Sequence, residues 1–321
     1  MPIRNILIIA ILLLIISLPF VTKANDNEGE AGVRILRDIT YTDAAVDAGN
    51  SEAAQKIAAS KAHLLDIYIP TKAKSPTPLV VFIHGGAWLQ GAKEEGPGIP
   101  LCRKGFACAS INYRLTDAAI FPAQIEDCKA AVRFLRAHAA DYNIDPQRIG
   151  VWGVSAGGHL AALLGTTCGD RQLEGNLGNN QVDSCVQAVC DWCGPSDFLS
   201  VAKQAGSRTK IDYDSPKGPV ALLLGGLQKD RAELAAAASP ITHVDKSDPP
   251  FLIVHGDIDD LVPYAQSQEL NKALTEAGVP NKLITIAGGG HSFTSEEQFN
   301  HVVDFFNETL VKNNRKFSLN N

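Results

Sequence analysis

The residues best suited to covalent chemistry lie around one serine, Ser155, in the segment Gly153-Val154-Ser155-Ala156-Gly157. An apolar run precedes this segment and an Ala/Leu-rich run follows it, which predicts a strand that turns directly into a helix. A serine at such a turn has an exposed hydroxyl, and the N–H of Ala156 at the helix start favours a developing negative charge. The alternative is a serine that caps the helix. The segment alone leaves both interpretations open.

A second glycine-bearing segment, His84-Gly85-Gly86-Ala87-Trp88, follows a continuously apolar run that is typical of a buried strand. Glycines at a strand end allow backbone N–H groups to turn towards a carbonyl oxygen. We therefore predict that Gly86, Ala87 and Ala156 supply the donors of an oxyanion hole. His84 is interpreted as a structural residue that holds this loop, because a better base occurs later in the chain.

That base is His291, which follows the last predicted strand and the glycines at 288–290. By itself, a histidine in this setting is more typical of a solvent-exposed loop. Three carboxylates after the preceding strand, Asp257, Asp259 and Asp260, compete to orient its imidazole. Asp257 lies close to the strand end and Asp260 is expected to form the turn before the next helix, which disfavours both, but the residues alone leave the choice open.

Hydrophobic patterning predicts the elements that position these residues. Strands are predicted at 33–41, 64–69, 79–83, 107–112, 149–154, 185–193, 251–255 and 282–286. Helices are predicted at 122–142, directly after Ser155, and at 232–238, 265–277 and 299–311, with a loop or short helix at 43–62. Buried strands that alternate with helices indicate a mostly parallel sheet covered on both faces. No repeat or long linker divides the chain, so we expect one α/β domain.

With these motifs in this order, the sequence resembles the α/β-hydrolase superfamily, whose triads run serine, acid, histidine along the chain. The closest likeness is to hormone-sensitive-lipase-like carboxylesterases, especially the acetylxylan and feruloyl esterase-like (BD-FAE-like) group. The resemblance runs from about Leu64 to the closing helix. It is carried by segments 83–88, 112–115, 121–124, 143–149, 153–160, 194–198 and 255–263.

The resemblance implies a single α/β-hydrolase domain over residues 33–321, with a twisted sheet, helices on both faces and a small cap or insert around 196–238. It implies that Ser155 is the nucleophile, His291 the base and Asp259 the acid. The implied reaction is hydrolysis of short acyl or feruloyl esters on polysaccharide, with no metal or organic cofactor. One departure is Ala87, where lipase-like relatives often have a third glycine, and it leaves this oxyanion donor in doubt.

Aromatic residues near the motifs are candidates for substrate contacts. Trp192, Phe198 and Tyr213 are predicted to line a wall, and Trp88 to flank the acyl group. The alternative, that each belongs to the core, is favoured by the usual burial of large aromatic side chains.

Two other functions stay open. A peptidase related to prolyl oligopeptidases shares the triad order, but such enzymes usually carry an additional amino-terminal domain, for which this chain has no room. A non-catalytic binding protein on the same fold is disfavoured by the complete triad. A lipase for long acyl chains is disfavoured because no long apolar lid segment occurs between Ser196 and Ala238.

The first residues of the chain indicate where the protein is located, and its net charge indicates which partners it binds. Arg4 precedes an apolar run from Ile6 to Phe20, which predicts a signal peptide over residues 1–24, cleaved after Ala24, and a disordered polar leader at 25–32. An uncleaved membrane anchor is the alternative, but the run is shorter than the ~20 residues of a span. A net charge of −6 does not favour nucleic acid as a partner. We expect a secreted or periplasmic protein and leave its oligomeric state open.

Seven cysteines fit an oxidising compartment. Cys168 and Cys185 flank a polar, glycine-rich segment, which predicts a disulfide between them. Cys190 and Cys193 have the spacing of a redox or zinc motif, but residues three apart in a strand face opposite sides. We therefore interpret both as buried apolar residues.

Overall fold

The computed structural model describes residues 32–42 and 61–312. The predicted signal peptide, all of the predicted leader except Gly32, and most of the predicted loop or short helix at 43–62 lie outside the described residues. The same holds for residues 313–321 of the predicted domain. Along the described part of the chain, no helix is both long and apolar enough to cross a membrane.

One eight-stranded sheet runs through the molecule in the order β1-β2-β4-β3-β5-β6-β7-β8. The strands are Val33–Thr40 (β1), Leu64–Pro70 (β2), Thr77–Ile83 (β3), Ala107–Ile111 (β4), Ile144–Val154 (β5), Ala188–Trp192 (β6), Phe251–Gly256 (β7) and Asn281–Ile286 (β8). β2 pairs antiparallel with both β1 and β4, and every other pair is parallel. The prediction of a mostly parallel sheet is confirmed.

The helices follow the strands in the alternating pattern that the sequence predicts. They are Gly98–Arg103 (α1), Ala123–Ala137 (α2), Ala156–Thr166 (α3), Val201–Ala205 (α4), Pro219–Leu224 (α5), Ala232–Ala237 (α6), Ala265–Ala277 (α7) and Glu296–Phe306 (α8). Three 3₁₀ turns (Lys93–Glu95, Gln228–Asp230 and Pro240–His243) and a π-helical turn (Asn307–Val311) complete them. The short helices α1, α4 and α5 were not predicted, because five or six residues are too few to show a helical period.

Three predicted elements begin three or more residues away from the predicted position, and α2 ends at Ala137 rather than at 142. β5 begins at Ile144 rather than at 149, because Ile144 already pairs with Thr77 before a register shift. β6 begins only at Ala188, because the carbonyl of Cys185 accepts a hydrogen bond from Arg136 (2.6 Å) outside the sheet. α8 begins at Glu296, where the Ser295 hydroxyl accepts the Gln298 N–H and caps the helix.

The core occupies both faces of the sheet, as the period of two along a strand requires. On β3, Leu79, Val81 and Ile83 face the layer that contains α2, α3 and α7, whereas Val80 and Phe82 face the layer of α1 and α8. Every residue of β3 is buried. The site described below is therefore built at the end of a strand that is packed from both sides.

The predicted insert at 196–238 corresponds to the segment between β6 and β7, which holds α4, α5 and α6. Its apolar residues, among them Val201, Tyr213 and Leu223, belong to the same core cluster as β3 and α3. The insert is therefore part of the single domain rather than a separate lid.

The loop between α3 and β6 is fixed to the body of the protein in two ways. The predicted disulfide between Cys168 and Cys185 is present. Within the loop, the Glu174 carboxylate accepts hydrogen bonds from Lys129 (3.1 Å) and Arg133 (2.5 Å) of α2. Both cationic side chains are buried, so the loop completes a polar network that α2 alone could not satisfy.

Candidate active site

Ser155 lies at the sharp turn between β5 and α3. Its backbone is left-handed (φ 58°, ψ −120°), a conformation that costs a non-glycine residue about 1–3 kcal/mol. Its N–H donates to the carbonyl of Trp192 (2.7 Å), which ties the turn to the end of β6. The hydroxyl caps no amide of α3, so the interpretation as a helix-capping serine is wrong.

The glycines around this turn are required by close backbone contacts. A Cβ on Gly153 would lie 1.9 Å from the Gly157 carbonyl oxygen, and a Cβ on Gly157 would lie 2.1 Å from the Ile83 carbonyl oxygen. Neither space admits a side chain. The turn therefore holds Ser155 in one position against the ends of β3 and β5.

The Ser155 hydroxyl faces the histidine that the sequence predicts as its base. His291 Nε2 lies 2.9 Å from Ser155 Oγ, and His291 Nδ1 lies 2.7 Å from Asp259 Oδ2. Three residues spread over 136 positions of the chain are thus joined in one hydrogen-bonded series. The structure brings together the three residues that the sequence proposes as nucleophile, base and acid.

The three competing carboxylates have different partners. Asp259 alone contacts His291, and its side chain is fully buried. Asp257 accepts the Gly288 N–H (2.7 Å), and Asp260 pairs with Lys210 (2.5 Å) while remaining exposed. Asp257 therefore holds the loop that carries His291, and Asp260 belongs to the surface.

A second histidine, His255, contacts Asp259 from the opposite side. Its Nε2 lies 3.0 Å from Asp259 Oδ2, and its Nδ1 lies 2.7 Å from the Ser267 hydroxyl. The other Asp259 oxygen accepts the N–H groups of Leu261 and Val262 (2.7 and 2.9 Å). The sequence analysis did not assign a role to His255. Its only signal was its place at the end of a buried strand, four residues before Asp259.

These contacts determine which groups carry charge. Burial favours the neutral form of Asp259, but hydrogen bonds from His255 and His291 lower its pKa well below the ordinary value. Burial favours the neutral form of His291 too, whereas the neighbouring Cys193 sulfur and the Asp259 carboxylate raise its pKa well above 6.5. Asp259 is therefore ionised at neutral pH and stabilises positive charge on His291.

The loop after β3 passes directly beside Ser155. A Cβ placed on Gly85 would lie 3.4 Å from Ser155 Cβ and 2.9 Å from the Val154 carbonyl oxygen.

Gly86, Ala87 and Trp88 all have positive φ angles (102°, 56° and 60°), and the Gly86 carbonyl accepts the Leu89 N–H (3.0 Å). Ala87 thus takes the left-handed conformation that a third glycine would otherwise supply.

The donors predicted for the oxyanion hole belong to this loop and to the start of α3. Among the hydrogen bonds within residues 32–42 and 61–312, none uses the N–H of Gly86, Ala87 or Ala156 as a donor. Ala156 is the first residue of α3, where a backbone N–H has no partner within the helix. These three groups are available to a ligand beside Ser155.

His84 holds the loop, as the sequence analysis proposes. Its Nδ1 lies 2.8 Å from the Gly85 carbonyl oxygen, and its ring stacks on Tyr113 at 4.4 Å. Burial lowers the pKa of His84 to about 4, even though the Gly85 carbonyl acts in the opposite direction. His84 is therefore neutral and structural.

The aromatic residues proposed as substrate contacts are buried, each with 4% or less of its surface exposed: Trp88, Trp192, Phe198 and Tyr213. Trp88 packs edge-on against His159 (5.2 Å) and Phe198 (5.7 Å). Trp192 packs on Trp152 (5.0 Å) in the opposite layer. The structure thus supports the alternative of core residues, and direct contact with a substrate stays a prediction.

The thiol of Cys193 lies beside the triad. Cys193 follows β6 with a left-handed backbone (φ 48°), and its thiol donates to the His291 carbonyl oxygen (3.8 Å). Cys190 and Cys193 are both free and buried, as predicted, so they form no redox pair. In the described ranges, Cys193, Asp259 and His291 are the one group of at least three potential ligands close enough to hold a metal ion.

The geometry of the site agrees with the likeness to known proteins. The model of the BD-FAE family matches residues 65–274, which is more than half of the chain. This protein belongs to the BD-FAE family. Its resemblance to the α/β-hydrolase fold and to the BD-FAE-like group is confirmed.

Individual curated proteins are also similar to this chain. Esterase LipC of Mycobacterium tuberculosis is 32% identical over 243 residues, which are 72% of this chain and 57% of LipC. The chain spans about half the length of the curated relatives it matches.

Among solved structures, a truncated carbohydrate esterase from gut microbiota is 35% identical with a TM-score of 0.76, over 87% of this chain and 96% of that one. A bifunctional GH43-CE protein of Bacteroides eggerthii is 37% identical with a TM-score of 0.74, over 85% of this chain and 37% of that one.

Proposed function

We propose that this member of the BD-FAE family is an exported serine carboxylesterase that removes short acyl or feruloyl groups from polysaccharide. The observation that carries the proposal is the hydrogen-bonded series Ser155, His291 and Asp259. A serine hydroxyl beside a histidine that is oriented by a buried carboxylate is suited to acyl transfer. Relatives named as esterases support an ester as the bond that is cleaved.

In the proposed reaction, His291 Nε2 takes the proton of Ser155 Oγ as this oxygen attacks the ester carbonyl. The imidazolium then gives this proton to the leaving alcohol, and the acyl group stays on Ser155. A water molecule repeats the two steps and releases the acid. Asp259 keeps the Nδ1–H of His291 in place and stabilises the imidazolium, because its lowered pKa leaves it ionised throughout.

The oxyanion of the tetrahedral intermediate is proposed to accept hydrogen bonds from Gly86, Ala87 and Ala156. Two observations support this assignment: the positive φ angles of Gly86 and Ala87, and the position of Ala156 at the start of an eleven-residue helix. Losing one such donor typically lowers turnover by about 10²–10³. The helix dipole adds a favourable potential at the same point.

The substrate is proposed from two further observations. The neighbours named as a carbohydrate esterase and a GH43-CE protein share more than a third of their aligned residues with this chain, which supports an ester carried on a carbohydrate. Trp88, which directly follows the oxyanion loop, fills the adjacent space with His159 and Phe198. This filled space supports a short acyl group.

The proposal is tested with Ser155→Ala and, as a matched control, Ser292→Ala, which alters an exposed serine next to His291. Release of acetate and ferulate is measured from acetylated xylan, feruloylated arabinoxylan and aryl esters, with a proline nitroanilide in parallel. We expect Ser155→Ala to lower ester turnover by at least ~10⁴-fold and Ser292→Ala to change it only a few-fold. Preferred cleavage of the nitroanilide would favour a peptidase. Absence of fluorophosphonate labelling at Ser155 would favour a non-catalytic binding protein.

Export is proposed from the sequence of residues 1–24. The disulfide between Cys168 and Cys185 supports passage through an oxidising compartment. Amino-terminal sequencing of the protein recovered from its native host is expected to begin at Asn25. A mature protein that still begins at Met1 would contradict cleavage after Ala24.

A further inference from the structure

We propose that Cys193, Asp259 and His291 form a binding site for one soft divalent cation, with Zn²⁺ as the type, and that its binding inhibits the enzyme. The three side chains offer a thiol sulfur, a carboxylate oxygen and an imidazole nitrogen, all within 4.8 Å of one another. Zn²⁺ prefers sulfur, nitrogen and carboxylate ligands, and sites with three protein ligands and one open position are common. The inhibition rests on the function proposed above, whereas the binding of the cation does not.

The backbone at Cys193 explains why its sulfur faces the triad. The residue follows the last residue of β6, and its N–H still donates to the Val254 carbonyl of β7 (2.9 Å). Its φ of 48° then turns the chain out of the strand conformation. The thiol consequently contacts the backbone of His291, whereas Cys190 stays in the core layer of α8.

The site has the freedom needed to close on a cation. Ligands of a tetrahedral Zn²⁺ lie about 3.3–3.7 Å apart, given bonds of about 2.0–2.3 Å. The present Nδ1–Oδ2 distance of 2.7 Å must therefore lengthen, and His291 must shift slightly. Space for this shift lies beside Gly290, directly before His291, where a Cβ would meet no atom within 4 Å. The loop itself stays held at Gly288 and Gly289 by hydrogen bonds to Asp257 and Ile258. Asp259 itself stays anchored through its other oxygen to Leu261 and Val262.

Binding would remove the base that Ser155 needs. In the proposed mechanism, His291 carries its proton on Nδ1 and presents the Nε2 lone pair to Ser155. A cation that binds Nδ1 displaces the proton of that nitrogen to Nε2, and the Cys193 thiol releases its own proton to solvent. A protonated Nε2 cannot accept the proton of Ser155. The fourth coordination position is left for water.

The first experiment measures inhibition of aryl ester hydrolysis by ZnCl₂ and MgCl₂ in the wild type, Cys193→Ala and Cys190→Ala. Cys190 is the matched control, because it is a free, buried cysteine three residues earlier that lies outside the ligand group. Each protein is compared with its own activity without metal. We expect the half-inhibitory Zn²⁺ concentration to rise at least ~10-fold in Cys193→Ala and to stay unchanged in Cys190→Ala. Mg²⁺, which prefers oxygen ligands, should not inhibit.

The second experiment does not depend on catalysis. Co²⁺ is added to the wild type, Cys193→Ala and Ser155→Ala, and the near-ultraviolet band of a thiolate bound to Co²⁺ is recorded. The band is expected in the wild type and in Ser155→Ala, and its loss is expected in Cys193→Ala. If Ser155→Ala proves active but shows the band, the proposed mechanism fails and the metal site stands.

Two results would overturn the site: equal Zn²⁺ sensitivity of the wild type and Cys193→Ala, or no thiolate band in the wild type. Should Cys193→Ala not fold, Cys193→Ser replaces it, and the wild-type Co²⁺ spectrum still decides whether the sulfur is a ligand.

Discussion

The two sides of the candidate active site are held by different forces. On the serine side, Gly153 and Gly157 bring backbone atoms so close that no side chain fits between them. On the histidine side, Gly289 packs closely against Gly256, but Gly290, directly before His291, has open space. His291 itself is held by its hydrogen bond to Asp259. The position of the nucleophile therefore depends on volume, and the position of the base depends on charge and hydrogen bonding.

This difference predicts how each side fails. A change in volume should damage the serine side at Gly153 and be tolerated on the histidine side at Gly290. A change in charge or protonation should do the reverse. Each kind of change can be made on one side of the site and compared with the same kind of change at a control position.

The largest effect is expected from Asp259→Asn, which keeps the volume but removes the charge. The amide cannot stabilise the imidazolium and favours the wrong tautomer of His291, so kcat should fall by about 10⁴-fold. Asp260→Asn is the control, because Asp260 pairs with Lys210 at the surface, and it should change kcat less than about 3-fold. Steady-state kinetics on an aryl acetate measure both. A comparable loss in Asp260→Asn would show that the acid is misassigned.

An intermediate effect is expected from adding one methyl group to each side. Gly153→Ala forces a Cβ to within 1.9 Å of the Gly157 carbonyl oxygen, so we expect a loss of about 3 kcal/mol in the free energy of unfolding. Gly290→Ala places its Cβ in open space and should change this free energy by less than about 0.5 kcal/mol. Urea unfolding followed by circular dichroism measures both values. Similar losses in the two variants would remove the proposed distinction between the sides.

The smallest effect is a displacement of the pH profile. Because the folded environment raises the pKa of His291 above 6.5, the protonated, inactive form persists above that pH, and kcat/KM should increase with pH through a midpoint above 6.5.

A buried carboxyl group lies near the site on the serine side: burial raises the pKa of Asp191, beneath the serine turn, to about 7, although the Gly194 N–H opposes the shift. Asp191→Asn therefore serves as the control, and its profile should keep the same midpoint. A midpoint that moves in Asp191→Asn would show that Asp191, rather than His291, controls the pH dependence of kcat/KM.

The serine side was predictable from the sequence, and the histidine side was predictable only in part. A serine between glycines at a strand end has few structural solutions, which is why Ser155 and the helix after it were located correctly. The choice among Asp257, Asp259 and Asp260 depends on how one short turn directs three similar side chains, and the family pattern was needed to favour Asp259. His255 was missed, because its role arises only when α7 brings Ser267 against it.

Cys193 shows a different limit of sequence reasoning. Strand alternation correctly placed Cys190 in the core, but the same rule says nothing about a residue just beyond the strand. The left-handed backbone of Cys193 is required by the turn after β6, and no residue type in the sequence marks it. The aromatic residues were likewise ambiguous, because Trp88 and Trp192 lie close to the motifs in the chain yet pack into opposite layers.

The reactivity of the free cysteines can be used to measure how the folded domain opens. Five free thiols are buried in the folded chain. Cys128 lies in one core layer, Cys102, Cys108 and Cys190 lie in the other, and Cys193 lies beside the triad. An alkylating reagent reaches them only when the packing around them separates. Mass spectrometry after a short pulse of reagent measures how many thiols of each molecule are labelled. If the domain opens as one unit, each molecule should carry either no label or a label on all five thiols. Labelling of Cys193 alone would instead show that the loop that carries His291 opens separately, and the labelling rate would give the rate of that opening.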